Sequence, residues 1–236
     1  MDKGIVYLIP CPIGANSPAN VLPADTIKII HELDYFIVEN EKTCRQFIRA
    51  AGHPKQIREL NFEVLNKHTH PNDIIEFIQP CFEGKSVGII SESGCPGIAD
   101  PGAFVAKTAH NKGIKVVPLI GPSSILLSLM ASGLNGQSFS FVGYVPKDRS
   151  DLKKRLNELE RISRQYNQTQ IFIETPFRNR QLIDNLKQYC SSSTQLCIAA
   201  NINQIDEIVV TKPVGKWKVG DLDIHKIPAV FLILAQ

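Results

Sequence analysis

The segment "SESGCPGIADPG", residues 91–102, carries three glycines, two prolines and two acidic residues, with no periodicity of its own. A nucleophile or a metal needs particular side chains, but a loop of this make-up can bind with its backbone. Gly94 and Gly97 let main-chain atoms come close to a ligand, and the prolines hold the loop in shape. Two other segments are built alike, "PCPIGANSP" at residues 10–18 and "IGPSS" at residues 120–124. The latter runs into a helical pattern whose first amides, near Ser123 and Ser124, are free to hold an anion or a carboxylate. The competing reading of each segment is a tight turn with no ligand.

Other chemistry is weakly represented. Neither the dinucleotide fingerprint G-x-G-x-x-G nor the phosphate loop G-x-x-x-x-G-K-[ST] occurs. His68 and His70 form a lone H-x-H, which fits solvated histidines better than a metal site, and no metal is expected. The six cysteines (Cys11, Cys44, Cys81, Cys95, Cys190 and Cys197) include no C-x-x-C pair. They read as small apolar filler in a reducing, cytoplasmic setting.

The elements that would position these loops alternate between strand and helix. "IVYLIP" precedes "ADTIKIIHELD", where Ile27, Ile30 and Leu33 share a helical face and Asp25 or Thr26 is placed to cap. "YFIVE", the helix "EKTCRQFIRAAG" and a weak strand at "QIREL" follow. Next comes "PNDIIEFIQPCFEG", a helix that Pro80 should kink or end. "SVGII", the 91–102 segment, a helix through His110 and "IKVVPLI" make a βαβ unit, whose apolar strands suit a sheet covered on both faces.

Beyond it come the helix "GPSSILLSLMASG", the strand "FSFVGYVP" and a charged helix, "DRSDLKKRLNELERISRQ", with a thin stripe at Leu152, Leu156, Leu159 and Ile162. "QIFIE", "RNRQLIDNLKQY", "QLCIAAN", "EIVVT" and "AVFLILA" complete the chain and suggest a mixed sheet. Both halves are α/β, with the boundary expected within residues 117–121, giving domains 1–118 and 119–236.

At 236 residues the chain can bury a real core, and its net charge of +3 permits a nucleic-acid partner without arguing for one. No apolar run approaches the ~20 residues of a membrane span. The short apolar stretch in "MDKGIVYLIPCPIG" ends in Pro and Gly, so no signal peptide is expected.

Taken in order, the loops resemble those of the tetrapyrrole-methylase-like superfamily of S-adenosylmethionine-dependent methyltransferases. Within it they most resemble the bacterial enzymes that methylate a ribose 2′-hydroxyl of small-subunit ribosomal RNA. "YLIPCPIGAN" stands where those proteins carry T-P-I-G-N, and "SESGCPGIADPG" where they carry S-D-A-G-T-P-x-I-S-D-P-G. "IGPSSILLSLMASGL", "FVGYVP" and "IFIETPFR" follow in the family's order.

The resemblance implies two α/β domains with S-adenosyl-L-methionine in the cleft between them, in a homodimer. It implies that Pro12, Glu92, Gly94, Cys95 and Ile98 line the cofactor. Ser123 and Ser124 would meet its methionyl or ribosyl end, and Ile173, Glu174, Ala200, Pro228 and Ala229 would close the pocket.

The chain departs from the family on its other motifs. "VENEK" keeps Glu39 but has Asn40 and Lys42 for Asp and Arg. "AANINQIDE" has Ala200, Asn201 and Gln204 for Arg, Glu and Lys, and keeps Glu207. Thr becomes Cys at Cys11 and Cys95. A lysine in place of arginine loses bidentate phosphate recognition, and lost charges alter what the cleft can hold.

Methyl transfer to an alcohol is an in-line displacement that requires alignment and removal of the hydroxyl proton. Glu39 is the candidate base or hydrogen-bond acceptor and Lys42 the candidate anchor, with Arg45 and Arg178 as substrate-binding candidates. Solvent-facing charge is the alternative for Glu39 and Lys42. The basic residues of the charged helix could meet RNA phosphates or form a solvated face with local ion pairs.

Three readings stay open. The first is a methyltransferase acting on 16S ribosomal RNA. The second is a methyltransferase of the same fold acting on a small molecule of tetrapyrrole type. The third is a cofactor- or RNA-binding homologue without catalysis.

Overall fold

Alternation of apolar side chains sets up the first sheet. The computed structural model describes residues 2–66, 69–218 and 220–235. His68, half of the H-x-H, lies outside the described residues. The elements begin with β1 (Ile5–Ile9), α1 (Pro18–Val21), α2 (Ala24–Glu32), β2 (Tyr35–Val38) and α3 (Glu41–Ala50). β3 (Asn61–Val64), α4 (Pro71–Phe77), α5 (Gln79–Phe82), β4 (Val87–Ile90), α6 (Gly102–Asn111) and β5 (Lys115–Pro118) follow.

Their sheet has the order β3-β2-β4-β1-β5, with every pairing parallel. Phe36 and Val38 enter one apolar cluster with Ile9 and Ile90, while Ile37 enters another with Val6 and Ile89. Each face of the sheet therefore has its own core, as period-two alternation in a parallel sheet demands.

Local chemistry moves three elements from where the sequence pattern puts them. At "QIREL", residues Ile57–Glu59 form a 3-10 turn instead of a strand, and β3 starts two residues further on. The cause is a reciprocal cap, in which the Gln56 amide donates to Glu59 Oε2 at 3.2 Å. The helix around Pro80 divides into α4 and α5, since that proline can sit in a first turn but not in a helix interior. Neither Asp25 nor Thr26 caps α2. Pro23 holds the cap position, and the Thr26 hydroxyl donates to Ile120 O at 3.1 Å.

The chain divides into compact units at Met1–Ser123 and Ser124–Gln236. Sequence pattern puts the boundary after residue 118, but residues 119–121 are tied to the first unit. The Leu119 amide donates to Leu8 O at 2.9 Å, and a Cβ on Gly121 would come 2.3 Å from Pro10 Cβ.

The second unit holds α7 (Ser124–Ser132), β6 (Phe139–Tyr144), α8 (Arg149–Tyr166), β7 (Thr169–Ile173), α9 (Asn179–Tyr189), β8 (Gln195–Ala200), β9 (Ile208–Pro213) and β10 (Ala229–Leu234). Its sheet has the order β6-β7-β10-β8-β9. Only the β6–β7 pair is parallel, so the sheet is mixed. Leu152, Leu156 and Leu159 of α8 are fully buried beside Phe172 and Phe231, while Ile162 is half-buried. The buried Ser163 hydroxyl accepts the Ala235 amide at 2.9 Å and pins α8 to the end of β10.

No helix among the described residues is long and apolar enough to cross a membrane.

Candidate functional site

The 91–102 loop is shaped by its own polar side chains and by the loop that follows β1. Gly94 and Cys11 form an antiparallel bridge, with Cys11 N donating to Gly94 O at 2.8 Å and Gly94 N donating to Cys11 O at 3.2 Å. Gly94 sits at φ +70°, a conformation that L side chains rarely adopt. A Cβ there would lie 3.5 Å from Pro122 O, and the Cys95 thiol donates to the same carbonyl at 3.3 Å. Gly94 and Cys95 therefore lie against the Pro122 end of the "IGPSS" segment, and Ser124 then opens α7. Asp100 was not among the sequence candidates. Its Oδ1 accepts the Gly97 and Gly102 amides at 2.8 and 2.7 Å. An aspartate beside Pro and Gly is a turn signal, so it was legible.

Glu92 faces the other way, toward α3. The Thr43 hydroxyl donates to Glu92 Oε1 at 2.5 Å and lies 3.1 Å from Asn40 O. The Glu92 amide donates to Glu39 Oε1 at 3.3 Å. Glu39 lines a crevice so tightly packed that it has no room for a water. Burial raises its carboxyl pKa above the ordinary range, and the Asp100 and Glu92 charges add to this; the donated amide opposes them. Asp100 is likewise raised by burial, against the two amides it accepts.

Asn40, which reads as a lost charge, is the N-cap of α3. Its Oδ1 accepts the Lys42 and Thr43 amides at 3.0 and 3.4 Å. An aspartate would accept the same bonds.

Between the loop after β1 and α3 lies a cavity of about 360 Å³, lined by the apolar Pro12, Pro18, Cys44 and Phe47 and by the polar Asn16, Thr43, Gln46, Ser91 and Glu92. Burial is the main reason the Cys11 thiol pKa is raised and the Cys44 thiol is pushed up to about 12, so both are neutral wall groups. Pro12 and Glu92 thus share this cavity, while Gly94 and Cys95 belong to the Pro122 side. Ile98 is exposed.

Lys42 and Arg45 line a separate depression of about 450 Å³ on α3, together with Glu41, Gln46 and Arg49. Arg45 is held by Glu41 at 2.7 Å and stacks over the Phe62 ring at 4.8 Å.

In the second unit, Glu174 is buried and pairs with Arg178, with Nε to Oε2 at 3.3 Å. Its Oε1 accepts the Thr175 amide at 2.7 Å, and Arg178 also donates to Lys147 O at 3.2 Å. A cofactor candidate and a substrate candidate are therefore each other's partners. Ala200 and Ala229 are cross-strand neighbours, and Pro228 O accepts the Asn201 amide at 3.0 Å. Ile173 ends β7 as a partner of Val230.

"AANINQIDE" has a backbone reason for its asparagines. Asn201 and Asn203 adopt φ +46° and +63°, which asparagine tolerates better than most residues. Glu207 Oε2 accepts the Asn203 amide at 2.5 Å. Several charges of α8 are locally engaged, Arg155 by Glu158 at 2.7 Å and Arg161 by Gln165 at 2.8 Å, as on a solvated face. Trp217 is buried beneath Lys212 and offers no stacking platform. Among the described residues no group of three His, Cys, Asp or Glu is arranged to hold a metal ion.

No family model matches the chain. In sequence it is similar to "Ribosomal RNA small subunit methyltransferase I" of Bacillus subtilis, at 31% identity over 187 residues, 79% of this chain and 60% of that protein. A protein of the same name from Vibrio cholerae is 26% identical over 232 residues, 97% of this chain and 76% of its own length. The match thus spans only 60% of the length of the Bacillus relative.

Among solved structures, the methyltransferase CobJ superposes with a TM-score of 0.66 at 14% identity, covering 99% of this chain and 95% of its own. Uroporphyrin-III-C-methyltransferase from Thermus thermophilus gives 0.58 at 17% identity, covering 98% and 94%. The fold is the tetrapyrrole methylase fold, and the family resemblance read from the loops agrees with the names of the sequence relatives.

Proposed function

We propose, for a chain that has the tetrapyrrole methylase fold and is related in sequence to small-subunit ribosomal RNA methyltransferases, that it is itself an S-adenosylmethionine-dependent methyltransferase. Its acceptor is a ribose 2′-hydroxyl of 16S ribosomal RNA. The observation that carries this reading is likeness to the Vibrio cholerae relative along 97% of the chain, glycine- and proline-shaped loops included.

The loops fit the cofactor. A side chain at Gly94 would narrow the space beside Pro122, and backbone at φ +70° leaves that face to main-chain atoms. Gly94, Cys95 and Ser123 would hold the cofactor in the first unit. Ser124 at the α7 N-terminus suits its carboxylate. In the second unit Ile173, Glu174, Ala200, Pro228 and Ala229 remain the proposed contacts. When bound, the cofactor supplies an electrophilic methyl group on a sulfonium.

This chain's residues contribute alignment. Of the two parts expected for Glu39, we assign it that of hydrogen-bond acceptor: it holds the Glu92 amide and so sets the loop. Lys42 and Arg45 stand on α3 as anchors for the acceptor strand. Arg178 acts beside Glu174, its ion-pair partner. The same reading carries a cytoplasmic setting and a second copy of the chain. Exposed Leu126 and Met130 on α7 support a subunit contact, and sedimentation tests it.

The direct test is transfer of a labelled methyl group to small ribosomal subunits from a strain lacking the gene. One methyl per subunit, mapped to a ribose, is expected. Binding of S-adenosylhomocysteine without transfer to RNA would point to a different acceptor. Absence of S-adenosylhomocysteine binding would refute the methyltransferase reading altogether.

A further inference from the structure

The cavity between the loop after β1 and α3 has a size and a neighbour that point to one ligand class. Its volume of about 360 Å³ lies at the small end of ligand pockets and gives room for one nucleoside. Pro12, Pro18 and the Phe47 ring give it apolar, partly flat surfaces, and Asn16, Thr43, Gln46 and Ser91 line it with hydrogen-bonding groups. Its polar edge is the Glu92 carboxylate, which Thr43 orients through one oxygen. Carboxylate oxygens accept hydrogen bonds, so this edge suits a ligand that offers N–H donors.

Gln46 lines both this cavity and the depression that contains Glu41, Lys42, Arg45 and Arg49, so the two are neighbours across one side chain of α3. Lys42 and Arg49 are seven residues apart on α3, about 10 Å along the axis at 1.5 Å per residue. They form a short cationic shelf on the far side of Gln46 from the cavity. A pocket of nucleoside size with a carboxylate edge, beside such a pair of cations, matches a nucleotide within a strand, base inside and phosphates outside. Single-stranded RNA is read in this way, with an unstacked base on apolar or aromatic surfaces and its edge bonded to side chains.

We propose that this cavity receives one unstacked base of the acceptor RNA, its N–H donors directed at Glu92 and its flanking phosphates held by Lys42 and Arg49. The proposal rests on the RNA methyltransferase reading. It divides the 91–102 loop into two faces, with Glu92 toward the acceptor and Gly94 and Cys95 toward the donor of the methyl group.

Three variants test it, with S-adenosylhomocysteine binding and RNA methylation measured on each. Ala50→Trp and Gln46→Trp, both at exposed positions that line the cavity, should fill it. Each should slow RNA methylation at least tenfold while leaving S-adenosylhomocysteine affinity within twofold of the parent. Lys42→Ala combined with Arg49→Ala should weaken RNA binding and make its log–log salt dependence shallower by about 1.4, two contacts at ~0.7 each for a single strand. If either filled variant that keeps the parent's melting temperature methylates RNA at the parent's rate, the cavity is not the base site. An unchanged salt slope removes the shelf. A parent that binds S-adenosylhomocysteine but methylates no RNA would instead overturn the proposed function, and the base assignment with it.

Discussion

Gly94→Val separates the backbone's conformational demand from the ligand's demand for space. Gly94 adopts φ +70°, where an L residue costs about 1–2 kcal/mol and a β-branched one the upper end. The loop could relax to escape that strain, but the bridge to Cys11 would then break. Two main-chain hydrogen bonds would be lost, at about 1 kcal/mol net each. Either route costs about 2 kcal/mol, which for a chain of this size lowers Tm by about 4–8 °C.

Ligand binding should suffer more, because the valine methyl groups extend beyond the Cβ, itself only 3.5 Å from Pro122 O. Thermal unfolding and calorimetric titration with S-adenosylhomocysteine give the two readouts. Gly133→Ala is the control. Gly133 has the same φ of +70° at the end of α7, with nothing within 4 Å of a Cβ, so it should lose stability and keep the ligand. Gly94→Val with the parent's affinity would refute the assignment of this loop to the cofactor. Unchanged melting would refute the strain argument.

Two further substitutions probe the supports of the site. Glu39→Gln keeps an acceptor oxygen for the Glu92 amide but cannot ionise. Because burial raises the Glu39 carboxyl, its stabilising contribution is present at low pH and is lost as pH rises through the raised value. The Tm of Glu39→Gln minus that of the parent should therefore grow from pH 4 to pH 8, with turnover lowered and S-adenosylhomocysteine affinity little changed. A flat difference would dismiss the buried-carboxyl argument. Asn40→Ala removes the cap of α3 and should cost about 1 kcal/mol, or about 2–4 °C in Tm, whereas Asn40→Asp should match or exceed the parent. An Asn40→Ala protein as stable as the parent would mean that the cap contributes nothing.

Much of the architecture lies in local patterns. Runs such as "VGII" and "AVFLIL" become strands buried along their whole length. The leucine stripe of α8 faces the core because residues three and four apart share a helical side. The irregular glycine- and proline-rich segments are loops for reasons carried by those residues alone. "QIREL" misleads because alternation over so few residues cannot compete with a reciprocal cap that satisfies two backbone groups.

What the sequence by itself determined is therefore the set of elements, the placing of ligand-type loops at strand ends and the family resemblance. Periodicity, turn chemistry and motif order are all local or collinear information. Only the tertiary structure decided which loop faces which. It brought Thr43 to Glu92 across 49 residues and Cys95 to Pro122 across 27, and set a cavity between the loop after β1 and α3. The physical reason is that a parallel sheet places side by side strands that are far apart in the chain. The contacts between loops form at their ends, and no local pattern records them.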